Sequence, residues 1–304
     1  MPPSSADASA ADAPVRAVAR RWPALLGAGL TVAMVAALAH ELLSDGLDGL
    51  GRAVPASPGF FLCFALLYLA PPVGDYVIFR RLWGIPLDGL AALIRKRIAN
   101  EVVLGYSGEA YFYAWARSRA RAVEAPFGAV KDVSILSAMA GNAVTLAMIA
   151  VALPLARGLL DAGQVRAVLG SAAVVVAASV PFLLFSRRVF SLPRATLWWV
   201  FGVHAVRLIA SSLLIALAWH FALPTVGMGM WLVLAAGRML VSRLPLLPNK
   251  DLLFANLAIL LIGRGQALSD LVAFTAALTL AVHMALVAAF GLAAAAARVR
   301  RGRR

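Results

Sequence analysis

The sequence predicts an all-α fold, a polytopic bundle of helices in a membrane, and three observations predict it. The chain is 62% hydrophobic and 14% charged, against roughly 45–50% and about 25% in soluble domains. Its apolar residues come in blocks of about twenty rather than in the narrow stripes that cover a soluble core. Its 28 Lys and Arg residues, behind a net charge of +14, gather where those blocks end. In hydrocarbon each backbone amide must be satisfied within a helix or a closed barrel, and barrel strands would alternate where these blocks do not.

Residues 1–15 carry few bulky side chains and read as disordered, so 1–21 form a tail that ends on Arg16, Arg20 and Arg21. The following RRWPALLGAGLTVAMVAALAH reads as an uncleaved first helix, because its core is long for a signal peptide and other spans follow. Further apolar blocks fall near 59–79, 130–156, 165–186, 196–222, 228–247, 251–263 and 268–297. The block 251–263 is short for a crossing and suits half of a helical hairpin or a re-entrant element. Residues 22–297 thus form a single transmembrane domain, and 298–304 a basic tail.

Basic connections set the topology. The loop ELLSDGLDGLGRA is net acidic and reads as outside. Arg80, Arg81, Arg95, Lys96, Arg97, Arg117, Arg119, Arg121 and Lys131 read as inside, as do Arg187, Arg188, Arg194, Arg243 and Lys250. Both termini are then cytoplasmic in an inner (cytoplasmic) membrane, and about eight helices cross. On this count residues 98–117 do not cross; they lie along the membrane or dip into it.

The arginines at helix ends point to membrane lipids and anionic head groups as partners, not to nucleic acid. Cys63, the only cysteine, falls within a span and reads as a small buried apolar residue. His40, His204, His220 and His283 are scattered and read as structural, so neither a metal nor a cofactor is expected. No HExxH, phosphate-binding loop or GxSxG elbow occurs.

Two stretches depart from plain spans. In IANEVVLGYSGEAYFYAWAR, Gly105 and Gly108 bracket a turn, and Ser107 is placed to cap a helix that starts near Glu109. The aromatic residues after it suit the head-group layer. Either Glu109 only assists its own cap, or Glu101 and Glu109 enter a polar cavity, since acids at membrane depth are costly and tend to be functional. In RLPLLPNKDLLFANLAILLIG, Pro245 and Pro248 break a helix, and Lys250 and Asp251 open the next segment. Asp251 there serves as a cap or first-turn acid, or the segment is a half-helix that holds a lipid phosphate with Lys250. Arg207 and Arg238 lie inside apolar blocks. Arg238 can snorkel, whereas Arg207 needs a buried acid such as Glu101 or Glu109, or a substrate phosphate.

With these pieces in order, the chain resembles the flippase-like transmembrane family related to the membrane region of lysylphosphatidylglycerol synthases. The resemblance rests on FRRLWG ending at Gly84, on Asn100, Gly108 and Glu109, and on PLLPNKD at 245–251, and spans nearly all of 20–297. The chain departs from it in lacking a proline in the first turn, where Tyr106 stands nearby. It also has Asn249-Lys250 in place of glycines, and Asp251 in place of a later acid. The resemblance implies binding or translocation of a lipid with a polar head, without an aminoacyl-transferring domain. Substrate contacts are then expected from Glu101, Glu109, Arg207, Arg238, Lys250 and Asp251. The alternatives are a membrane enzyme that transfers a group onto a lipid, with Glu109 as general base, and a scaffold for a lipid-synthesis complex.

Overall fold

A computed structural model describes Ala36 and residues 54–103, 107–119, 126–155, 162–184, 189–243, 249–262 and 267–302. These residues are helical nearly throughout, with no strand among them. The tail and most of the first apolar block lie outside the described residues, as do Gly105, Pro245 and Pro248.

Helix α1 (Pro58–Trp83) starts with a proline in its first turn and stops at Gly84. Gly84 takes φ 62° and its N–H closes onto the Arg80 carbonyl at 2.8 Å, which needs a residue without a Cβ penalty. The chain then doubles back. Helix α2 (Asp88–Ile98), a wider π turn (Ala99–Val103) and helix α3 (Ser107–Arg119) form a hairpin along the second half of α1. Lys96 and Arg97, near its tip, reach Asp75 and Tyr68 of α1. On the return arm Phe112 packs on Phe79, ring centroids 4.6 Å apart, and stacks towards Trp83. The hairpin thus enters from the Arg80–Arg81 end of α1, turns near its middle, and leaves by the same end. The tip is tight because a Cβ on Gly108 would run into the Lys96 carbonyl. The Gly108 N–H donates to Asn100 Oδ1 at 2.7 Å, and the Ser107 hydroxyl donates back to the Ala99 carbonyl. Ser107, expected as a cap, instead satisfies a carbonyl of the preceding turn, and Asn100 serves the new helix's amide.

Helices α4 (Pro126–Leu155), α5 (Ala162–Leu184) and α6 (Arg194–Ala222) follow. Asp132 of α4 is fully buried, and its Oδ2 accepts from the Ser191 N–H, the Ser191 hydroxyl and the Leu192 N–H at 2.7–2.8 Å. That clamp fixes the approach to α6. Helix α6 packs antiparallel to α1 in the most extensive helix pair among the described residues. Gly59 faces Phe221, Gly74 faces Arg207, and Arg81 lies over the Trp199 ring at 4.3 Å.

A second hairpin enters from the opposite end. Helix α7 (Met228–Val241) starts beside the C-terminal turns of α6, with Trp231 against Trp219, and runs inward to Arg243, which sits against Gly141 of α4. Helix α8 (Lys250–Ile262) returns outward, bringing Phe254 back to Trp219. The tips of the two hairpins meet: the Asn249 N–H donates to the Glu101 carbonyl at 2.7 Å. Asn249 takes φ 44°, a left-handed conformation that asparagine tolerates better than most residues. Finally, α9 (Ala267–Gly302) runs parallel to α1, placing Phe274 by Phe60 and His283 by Tyr68.

Four of these helices, α1, α4, α6 and α9, are long and apolar enough to cross a membrane, and α5 carries a shorter apolar stretch. This marks the chain as an integral membrane protein. Eight crossings are not found among the described residues. Helices α7 and α8, which fall in the 228–247 and 251–263 blocks, form the arms of one hairpin, and at about 20 Å each neither spans about 30 Å of hydrocarbon. Large apolar side chains face outward along α1 (Leu62, Leu66, Leu69, Val73) and α6 (Trp198, Val206, Ile209, Leu213), as lipid contact requires. Inside, one apolar core gathers Phe60, Phe64, Trp219, Trp231 and Phe254, and another gathers Ile78, Phe79, Leu93, Phe112 and Val200. Along both α1 and α6 the two cores leave a gap, and the charged residues occupy it.

The Gly108 contact generates a test. Gly108→Ala should cost about 1–3 kcal/mol or more through overpacking at the tip. Gly170→Ala, where a Cβ meets nothing within 4 Å, should be neutral or stabilising by helix propensity. Thermal unfolding of the detergent-purified protein measures both, and equal melting temperatures for the two variants would refute the tight tip.

Candidate functional site

The site begins with a gap in a backbone ladder. Pro71 and Pro72 lie inside α1, and a proline at 72 removes the N–H that would have bonded the Tyr68 carbonyl. Arg97 fills the vacancy: its Nη1 donates to that carbonyl, and its guanidinium lies over the Tyr68 ring at 4.2 Å. Its Nε also pairs with Glu101 Oε1 at 2.9 Å, one helical turn further on. Glu101 in turn faces His283 Nε2 of α9 at 3.5 Å. So Glu101 takes part through its carboxylate and through its carbonyl, which holds Asn249.

Lys96, beside Arg97, points the other way. Its buried Nζ lies 2.7 Å from Asp75 Oδ2 and 3.4 Å from Glu109 Oε1. Glu101 and Glu109 are therefore brought to the same helix end, each by its own cation. The second oxygen of Glu109 is buried with no hydrogen-bond partner among the described residues. Glu109 thus does more than assist its own helix start.

The second hairpin supplies a matching pair. Arg238 Nη2 lies 2.9 Å from both carboxylate oxygens of Asp251, which stands in the first turn of α8. Arg238 is thus fixed by an acid and does not snorkel. Lys250 donates to the Ser242 carbonyl at 2.8 Å, and Arg243 to the Ser242 hydroxyl.

Arg207 differs. The expected partners, Glu101 and Glu109, are taken, and no carboxylate of the described residues comes within 4.0 Å of it. Asp75 lies within electrostatic reach, but the one side-chain hydrogen bond to a described residue is from Nη2 to Ser137 Oγ of α4, at 3.2 Å. The arm of Arg207 crosses Gly74, where a Cβ would sit 2.6 Å from its Cδ. Beside it a groove of about 530 Å³ runs between α1 and α6, lined by Ala70, Val73, Gly74, Trp199, Gly202, Val203, Val206 and Arg207. His204, one turn before Arg207, is fully buried.

The structure brings Glu101, Glu109, Arg238, Lys250 and Asp251 to the meeting tips and Arg207 to a neighbouring position on α6; Gly108 shapes the first tip. Sequence reasoning missed Asp75, Tyr68 and His283, and placed Lys96 and Arg97 in a solvated basic loop. A signal existed for Asp75: LAPPVGDYVIF holds an acid and two prolines within an apolar block, which is costly unless something inside the membrane answers both.

Compared with protein families, curated proteins and solved structures, the chain finds no match.

Removing one member of the Lys96–Asp75 pair leaves a buried charge. Asp75→Asn or Lys96→Met should each destabilise by about 3–5 kcal/mol, while Asp75→Leu combined with Lys96→Met should recover only part of the loss, because Glu109 still loses its cation. Thermal melting of the three variants decides this; a double variant as unstable as both singles added together would mean the two residues act independently.

Proposed function

We propose that this protein binds a lipid with a polar, phosphate-bearing head and moves that head across the inner membrane, with the Arg80, Arg81 and Arg194 end facing the cytoplasm. One observation carries the reading. Two hairpins from opposite ends of an apolar bundle meet tip to tip, and their tips hold Lys96, Arg97, Glu101, Glu109, Arg238 and Asp251 together with Asp75. An acid or base at membrane depth costs on the order of 2.5–3.5 kcal/mol. A protein that needed only to fold would fill the same space with apolar side chains. Interrupted helices with charged ends near the midplane are the device by which membrane proteins hold charged cargo in transit. The resemblance of GYSGE and PLLPNKD to the turns of the flippase-like family supports the same reading, as does the basic end, which follows the positive-inside rule.

On this reading the cations meet the phosphate in passing, and the acids hold those cations in place between passages. Reconstitution into liposomes with fluorescent acyl-labelled phosphatidylglycerol, read by dithionite bleaching of the outer leaflet, tests the proposal. The wild-type protein should speed transbilayer movement. Lys96→Gln and Glu109→Gln, in protein shown to be folded, should each slow it about ten-fold or more. Movement no faster than in protein-free liposomes, or wild-type rates in both variants, would overturn the reading. A new chemical species among the recovered lipids would replace it with group transfer.

A further inference from the structure

We infer that the groove between α1 and α6 is a lateral binding site for an anionic phospholipid, with Arg207 taking its phosphodiester and the groove an acyl chain. The inference deepens the reading above by naming a lipid class and a place, and as a binding site it stands or falls separately from translocation.

Three observations carry it. First, the groove opens sideways. Val73 and Val206 on its walls are 43% and 68% exposed, on the same faces of α1 and α6 as the outward apolar stripes. In a bilayer such an opening is filled by hydrocarbon, so its occupant is an acyl chain. Second, the walls are apolar except at Arg207. A guanidinium has five N–H donors, yet Ser137 is the one partner of Arg207 among the described residues, and its Nε is buried with none. A cation with spare donors at membrane depth needs an anion. A phosphodiester on the same molecule as the acyl chain supplies it with bidentate geometry. Third, space has been kept for an occupant. A Cβ on Gly202 would meet nothing within 4 Å, so the groove wall is open there, while the bare Gly74 makes room for the Arg207 arm.

The antiparallel register gives the depth. Arg81 stacks on Trp199 at the mouth of the groove, and the run from Gly74 to Arg81 is about 10 Å of helix. A phosphate on Arg207 therefore sits about 10 Å below the level of Arg81, already drawn in from the head-group layer.

Trp199 on the groove wall provides the readout. The full-length protein in phosphatidylcholine nanodiscs is titrated with phosphatidylglycerol brominated on its acyl chains, and quenching of Trp199 is taken as the difference from Trp199→Phe. Saturable quenching is expected. Arg207→Gln should raise the half-saturation concentration by about ten-fold or more, and Arg207→Lys should fall between. Gly202→Leu fills the groove without touching the cation and should abolish the quenching, which keeps the test decisive if Arg207 variants fold poorly. Unchanged quenching in Arg207→Gln or Gly202→Leu overturns the inference. So does equal saturable quenching by brominated phosphatidylcholine, or displacement by inorganic phosphate, which would make the site one for free anions. Lys96→Gln should keep the quenching while losing translocation. Loss of the site with translocation intact refutes this inference alone, and quenching without translocation refutes the earlier reading alone.

Discussion

Lys96 and Arg97 stand side by side at the end of α2, and neither can occupy the middle of an apolar bundle without negative charge or a free carbonyl. The structure meets the two needs on one helix. Asp75 supplies the charge for Lys96, and the carbonyl that Pro72 releases at Tyr68 supplies an acceptor for Arg97. Everything at the tips follows from this seating. It brings Glu101 to the carbonyl position that receives Asn249, and it brings Glu109 to the other side of Lys96. Hydrocarbon offers helices little hydrophobic reason to associate, so polar contacts of this kind specify where the hairpins stop.

The arrangement also separates charge by location. At the tips, Asp75, Glu101, Glu109 and Asp251 answer Lys96, Arg97 and Arg238, while Arg207, Arg243 and Lys250 donate to hydroxyl or carbonyl oxygens. The excess behind the net charge of +14 falls, in sequence, mainly at the chain ends and between the apolar blocks. A further anion is admitted most readily beside a cation that no carboxylate holds, and Arg207 is one such cation among the described residues.

Much of this was legible in the sequence, though unevenly. Hydropathy showed the long helices, because a span's requirement is local: enough apolar residues in a row. The glycines and prolines near 105 and 245–248 pointed to interrupted segments, again from local chemistry, though Gly105, Pro245 and Pro248 themselves lie outside the described residues. Partners were not legible. Glu101 and Asn249 are far apart in the chain, and nothing in either stretch says that a carbonyl of one meets an amide of the other. Lys96 and Arg97 read as loop residues because their neighbours are basic, and only the return of α2 along α1 buries them. Ser107 looked like a cap because serines usually are, while the π turn before it left a carbonyl that needed the hydroxyl more.

The tip-to-tip contact also fixes an order of assembly. Asp75 and Lys96 are close in sequence, so the first hairpin can seat its lysine on α1 as soon as both have been made. Glu101 must wait: its carbonyl is answered by Asn249 and its carboxylate by His283, both from the last part of the chain. Until α8 and α9 arrive, Arg97 alone holds that acid. A chain interrupted before residue 249 would therefore carry a half-satisfied polar tip inside the membrane.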